Sequence, residues 1–208
     1  GVLFRNAFAA SPGCSPSRAA LLTGMNTWQL EHAGTHASFF SPEYQTFPDR
    51  LQTAGYFVGY TGKGWGPGNF KQLGRRQNPA GRNFSAQRKA PGDKRSSYVR
   101  AFEKFLSERP QHQPFCFWFG SHDPHRSFEK GSGRRQNKSL ADAEVPKFLP
   151  DAEVTRSDLL DYAVEVERFD TDLGDIIRLI EEAGELDETL VIVTSDNGMP
   201  FPRAKANC

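Results

Sequence analysis

Three short apolar runs, each ending in a polar cluster and separated from the next by helical sequence, constrain this chain most. They span residues 56–60, 115–119 and 190–194. Phe115-Cys116-Phe117-Trp118-Phe119 is apolar at every position, as in a strand covered on both faces, which makes Cys116 an inert core residue. Residues 97–109 repeat Val99, Phe102, Phe105 and Leu106 along one helical side and stop at Pro110. Residues 155–183 carry a longer stripe of Leu159, Ala163, Val166, Phe169, Leu173, Ile176, Ile177 and Ile180, with Gly184 as its stop. Strands separated by helices pair in parallel through right-handed crossovers. The expected fold class is therefore α/β, a mainly parallel sheet flanked by helices. A strand or extended entry over 2–8 is also expected. So is a helix starting at Thr46-Phe47-Pro48-Asp49, ending at Gly55 and burying Leu51 and Ala54.

In such sheets ligands sit beyond the carboxyl ends of the strands. Here those ends carry Lys63-Gly64-Trp65, His122-Asp123-Pro124-His125 and Asp196-Asn197-Gly198. The topology alone gathers cations, imidazoles and a carboxylate beside an amide at one edge. Glycines around Lys63 let the backbone approach a ligand, so Lys63 is a candidate anion contact, and Lys205 adds a further cation. Asp196 and Asn197 are oxygen donors of the kind that calcium or magnesium prefers, although an Asp-Asn-Gly turn also has backbone reasons of its own.

The stretch Cys14-Ser15-Pro16-Ser17-Arg18 leads into Ala19-Ala20-Leu21-Leu22-Thr23-Gly24. Proline suits a first helical turn, Ser15 or Ser17 is expected to cap the free amides, and Gly24 is expected to end the helix. Cys14 then lies where unpaired N–H groups favour anions, with the planar fork of Arg18 one turn on. Added to the sheet edge, this is a recipe for handling a tetrahedral oxyanion. Read alone, Cys14 is a small buried hydrophobe before a short helix. His32 and His36, four residues apart, lack a third ligand and read as ordinary loop histidines.

Taken together, C-S-P-S-R at 14–18 with A-x-L-L-T-G after it, T-G-K at 61–63, H-D-P-H at 122–125 and S-D-N-G at 195–198 resemble the type I, formylglycine-dependent sulfatases of the alkaline-phosphatase-like superfamily. H-D-P-H-R and D-N-G-M-P-F-P look most like the heparan N-sulfatase branch of that family. The resemblance spans nearly the whole chain and implies that 1–208 is a partial sulfatase catalytic domain, incomplete at both ends. By that likeness Cys14 is oxidised to formylglycine, and Arg18 holds it and the sulfate. Lys63, His125 and Lys205 contact sulfate or substrate. Calcium, ahead of magnesium, sits on Asp196, Asn197 and the modified Cys14. His125 protonates the leaving group, with His122 as the alternative.

Two departures stand out. The histidine the family usually carries two residues after the lysine is Trp65 here, at a substrate-side position, so either another base serves, with His122 the candidate, or the collapse of the adduct is slow. The family's Asp-Asp metal pair has no match, so the 208-residue chain by itself is expected to bind calcium poorly and to lack activity. The implied partners are a sulfated saccharide, of the N-sulfoglucosamine type, and a formylglycine-generating maturation enzyme. The implied location is extracytoplasmic. A formylglycine-dependent phosphonate or phosphodiester hydrolase stays open, as does a non-catalytic sulfoglycan-binding relative, for which Trp65 and a basic stretch at 71–100 speak.

That stretch sets Arg75, Arg76, Arg82, Arg88, Lys89, Lys94, Arg95 and Arg100 against Asp93 alone. It reads as a long surface loop, either merely solvated or a rim that attracts polyanions. Without interleaved aromatics for base stacking it makes a poor nucleic-acid surface, and the net charge of +1 points the same way. Three cysteines, widely spaced, make neither a disulfide framework nor a zinc spacing. No apolar run nears the roughly 20 residues that span a bilayer.

Overall fold

The computed structural model describes residues 1–85 and 93–205; Arg88, Lys89 and Cys208 lie outside the described residues. Its centre is a three-stranded, wholly parallel sheet of β1 (Phe57–Gly62), β2 (Arg82–Asn83) and β3 (Phe115–Gly120), in the order β2-β1-β3. β1 and β3 run in step from Phe57 opposite Phe115 to Gly62 opposite Gly120.

Alternation along β3 divides the core. Phe115, Phe117 and Phe119 join a cluster with Val99, Phe102 and Phe105 of α3 (Ser97–Glu108) and Ile176 and Ile180 of α5 (Glu153–Glu182). Trp118 turns to the other face. There Tyr60, Trp65 and Phe40 pack with Ala19, Ala20 and Leu22 of α1 (Cys14–Thr23). Gly59 has no side chain on the α3 face, where a Cβ would meet Phe84 and Phe105 at under 3 Å. The two rings therefore lie directly on the strand backbone.

The local rules work well for the helices. Ser96 caps α3 through Val99 N–H at 3.2 Å. Thr46 and Asp49 form a reciprocal capping box at the start of α2 (Phe47–Thr53). Gly24 closes α1 in the left-handed conformation (φ 70°). Elsewhere the expectations need correction. The N-cap of α1 is Gly13, which offers no side-chain oxygen, and Ser15 and Ser17 lie inside the helix. α2 buries Pro48, while Ala54 is exposed. The buried face of α5 runs through Leu159, Leu160, Val164, Ile176 and Ile180. It takes in Asp161 and Glu165, whereas Val166 is exposed. Asp161 accepts from the backbone N–H groups of Gly131 and Gly133 at 2.8 and 2.9 Å, which anchors α4 (Ser132–Arg135) on α5.

Two expected strands do not form. Residues 2–8 and 190–194 carry no strand, and Val2, Leu3, Phe4, Phe8, Leu190, Ile192 and Val193 are largely exposed. Apolar sequence supplies a strand's surface but not its hydrogen-bonding partner, and neither segment pairs with a strand among the described residues. The third strand is instead Arg82–Asn83, in the polar basic stretch, held by pairing with Gly59 and Tyr60. No helix among the described residues is long and apolar enough to cross a membrane.

Candidate active site

The site is built around Arg18. It lies one turn into α1 and is 8% exposed. Its Nε donates to Asp196 Oδ2 at 2.6 Å, and its Nη1 donates to the carbonyls of Lys63 and Gly64 at 2.5 and 3.0 Å. The guanidinium also lies 5.8 Å from the Trp118 ring. One side chain thus joins the Cys14 helix, the turn after β1 and the turn that carries Asp196. A buried guanidinium needs such partners, because its charge is otherwise stranded in a medium that solvates it poorly.

The Lys63 turn owes its place to two glycines. Lys63 N–H donates to Gly120 O at 2.5 Å, and Trp118 Nε1 donates to Lys63 O at 3.1 Å. A Cβ on Gly120 would lie 1.8 Å from Lys63 O, and one on Gly62 (φ 68°) would lie 2.1 Å from Gly120 O. Only paired glycines let the ends of β1 and β3 come so close, and that approach sets Lys63 beside the turn after β3.

In that turn His125 N–H donates to His122 O at 2.8 Å. Tyr98, from α3, holds His122 twice: its oxygen accepts the His122 backbone N–H at 3.1 Å and lies 3.1 Å from His122 Nδ1. Burial, and then the charges of Lys63 and Arg18, lower the pKa of His122 below the usual imidazole range, so it stays neutral to a lower pH. His125 Nδ1 donates to Arg126 O at 2.7 Å, which fixes its tautomer and leaves Nε2 for proton exchange.

Cys14 is the first residue of α1 and is 3% exposed. Its Sγ lies 3.9 Å from His36 Nδ1, which is also 3.4 Å from Ser15 Oγ, while Ser15 Oγ accepts the Ala37 N–H at 3.1 Å. His36 is thus the imidazole beside Cys14, a neighbour that the loop reading missed. Its separation of 22 positions, across two 3-10 turns, leaves no periodic signal.

Trp65, expected on the substrate side, is instead core. It is 3% exposed and donates Nε1–H to Ser15 O at 3.1 Å. It exchanges two backbone hydrogen bonds with the Asn78 amide at 2.9 Å and meets Phe40 edge-on at 5.1 Å. The indole supports α1 from beneath and has no free face for a ligand. Lys205, placed among the substrate contacts by sequence, is likewise buried.

Asp196 and Asn197 lie side by side, with Asn197 Nδ2 donating to Asp196 Oδ1 at 2.6 Å and Ser195 Oγ donating to Asn197 O at 2.6 Å. Both Asp196 oxygens therefore have N–H partners. No group of three or more His, Cys, Asp or Glu side chains able to hold a metal occurs among the described residues. The pair fits part of a hard cation's shell, two oxygens where calcium takes six to eight. The carboxylate is balanced here by Arg18.

Comparison with known proteins gives a consistent picture. A family model described as Sulfatase matches residues 1–206. Human N-sulphoglucosamine sulphohydrolase is 32% identical over 99% of this chain and 45% of its own length. An ulvan-active sulfatase of Formosa agariphila is 23% identical over 99% of this chain and 39% of its own. Human N-acetylgalactosamine-6-sulfatase is 24% identical over 95% and 43%. The chain spans less than half the length of these relatives.

Proposed function

The chain belongs to the sulfatase family, and on that premise we propose that it is part of a hydrolase that releases sulfate from a sulfated sugar, with an N-sulfated glucosamine as first candidate. The observation that carries this reading is the convergence on Arg18 of the Cys14 helix, the Lys63 turn and Asp196. Such a cluster suits a tetrahedral oxyanion. The choice of sugar rests on the 32% identity with a relative named for N-sulphoglucosamine.

The chemistry explains a converted Cys14. A thiolate that attacked sulfur would be left as a stable thiosulfate with no easy exit. A hydrated aldehyde at that position carries two hydroxyls on one carbon. One, after releasing its proton to solvent, attacks sulfur as the S–N or S–O bond to the sugar breaks. The leaving nitrogen or oxygen takes a proton from His125 Nε2, a role typically worth about 10²–10⁴-fold. The second hydroxyl then gives up its proton, the carbon–oxygen bond to sulfate breaks, and the aldehyde returns. With Trp65 buried, His36 is the base for that second proton, at 3.9 Å from the Cys14 side chain, in place of His122. Lys63 and Arg18 offset the charge of the sulfate. Asp196 and Asn197 would hold calcium, which supplies a positive charge that favours the ionised hydroxyl.

The same reading includes a maturation enzyme that oxidises Cys14, and an extracytoplasmic location. The test uses the protein at the length of its relatives, coexpressed with such an enzyme. Mass spectrometry of the Cys14 peptide should find the aldehyde. Sulfate should be released from N-sulfoglucosamine faster than from an aryl sulfate, and phosphodiesters should turn over least. A Cys14 that stays a thiol, in a protein that still binds heparin, would overturn the proposal in favour of a sulfoglycan-binding relative.

A further inference from the structure

Arg126 follows His125 directly, and the catalytic scheme gives its side chain no part. Nη1 and Nη2 donate to Asp158 Oδ1 and Oδ2 on α5 at 3.1 and 2.5 Å, and Nε donates to Pro200 O at 2.8 Å. The guanidinium carbon lies 4.7 Å from the centroids of both Phe128 and Phe201, which are 6.1 Å apart, so it occupies the notch between the two rings. Tyr162 of α5 packs 5.8 Å from each ring. The carbonyl of Arg126 meanwhile accepts from His125 Nδ1.

One residue therefore grips both halves of the site. Its backbone sets the His125 ring, and its side chain ties that turn to the loop that starts at Asp196, whose far end is pinned by Phe201, 2% exposed. Asp158 and Tyr162, one helical turn apart on α5, form a rigid floor for the joint. From these contacts we infer that Arg126 is a positioning residue that locks the imidazole turn and the Asp196-Asn197 loop into one unit, so that the proton donor and the anion-binding groups keep a fixed separation. The geometry demands arginine. A planar fork can donate to a carboxylate with one edge and to a carbonyl with Nε while its faces lie on rings; a lysine ammonium is a point charge and cannot do all three.

The inference rests on the sulfatase reading for its kinetic consequence but not for its structural one, so the two can fail separately. In the protein at its relatives' length, Arg126→Lys should lower kcat by about 10²-fold, the scale of loss from a small misplacement of reacting groups. KM should hold within about threefold, because a positioning defect touches the transition state more than binding. Backbone amide exchange should quicken in both 122–126 and 196–201, while β1 and α3 keep their protection. Unchanged kcat, or loosening of one segment without the other, would overturn the inference. If Arg126→Lys does not fold, Asp158→Asn in the same exchange measurement must loosen both segments or the inference falls. A wild-type protein inactive on every sulfated sugar, with both segments still loosened in the variant, would sink the functional reading and leave the coupling standing.

Discussion

Trp65 and His36 exchange the roles that their positions in the sequence suggest. A tryptophan two residues after a site lysine invites a ligand contact, yet its indole N–H is taken by Ser15 O and its ring by Phe40. Removing it would leave α1 unsupported over a large cavity. Trp65→Ala should cost about 3–5 kcal/mol, in line with other large aromatic truncations, and chemical denaturation measures that directly. Loss under 1 kcal/mol would mean that the ring is not core. His36 has the opposite profile: it is exposed and contributes little to packing. His36→Ala should therefore leave the unfolding midpoint nearly unchanged while lowering turnover by about 10²-fold, the lower end of what a general base contributes. With nucleophilic attack intact, a rapidly quenched reaction should show the sulfated enzyme adduct accumulating. Full turnover by this variant would assign the second proton to another group.

At the level of elements, α5 behaves less like an amphipathic rod than like a bracket with charged studs. Glu165 is 5% exposed in the middle of the helix's buried face. Burial first, and then a hydrogen bond to Asp123, push its pKa above the usual carboxylate range, partly opposed by Arg168. Asp172, about two turns on, is raised too by burial and by Asp123 and Asp175, against a hydrogen bond from Ser96. The folded state thus favours the protonated acids more than the unfolded chain does. Their contribution to stability is complete below the unfolded glutamate and aspartate range and is lost as pH rises through the raised folded values. Melting temperature should accordingly fall as pH climbs through that window, and Glu165→Gln, which keeps a neutral hydrogen-bonding head, should flatten the dependence. A wild-type profile already flat there would show that burial does not hold Glu165 and Asp172 in their protonated forms.

The same elements show where sequence reasoning reaches. The capping box at Thr46 and Asp49, the Gly24 stop, β1, β3 and α3 all follow from local rules, because caps and periodicity act within one or two turns. Residues 190–194 form no strand despite their continuous apolar run, because such a run cannot say whether a neighbour is present to pair with. β2 leaves no sequence signal because its two residues are polar and become a strand by pairing with Gly59 and Tyr60 of β1. Lys63 and His122 are legible together, since parallel topology sends the carboxyl ends of β1 and β3 to one edge, whereas Asp196 follows a segment that forms no strand and joins the site through Arg18. The hydrogen bonds from Arg18 to the Lys63 and Gly64 carbonyls are not legible, because main-chain acceptors leave no mark in the sequence.

On the scale of the whole molecule, two apolar segments face solvent while the Asp196 carboxylate faces a cation, Arg18. Leu190, Ile192, Val2 and Phe8 are each at least 75% exposed, and exposed apolar runs of this kind mark surfaces that another surface covers. The 208-residue chain should bind a hydrophobic dye and self-associate with concentration. Ile192→Lys should reduce both without lowering the melting temperature, whereas a protein at its relatives' length should show neither behaviour. Asp196 and Asn197 supply two oxygens, and Arg18 already neutralises the carboxylate, so calcium offered to these 208 residues must displace a buried guanidinium for a small share of its ligands. Titration calorimetry on this chain should find binding too weak to shift its melting temperature at millimolar calcium. In the protein at its relatives' length, by the proposed function, calcium at 100 times its dissociation constant should stabilise the fold by about 2.7 kcal/mol. A chelator should reverse that gain, and Asp196→Asn should abolish it. Equal calcium response in the two lengths would mean that the cation's ligands all lie within residues 1–208, and that Arg18 gives way to it.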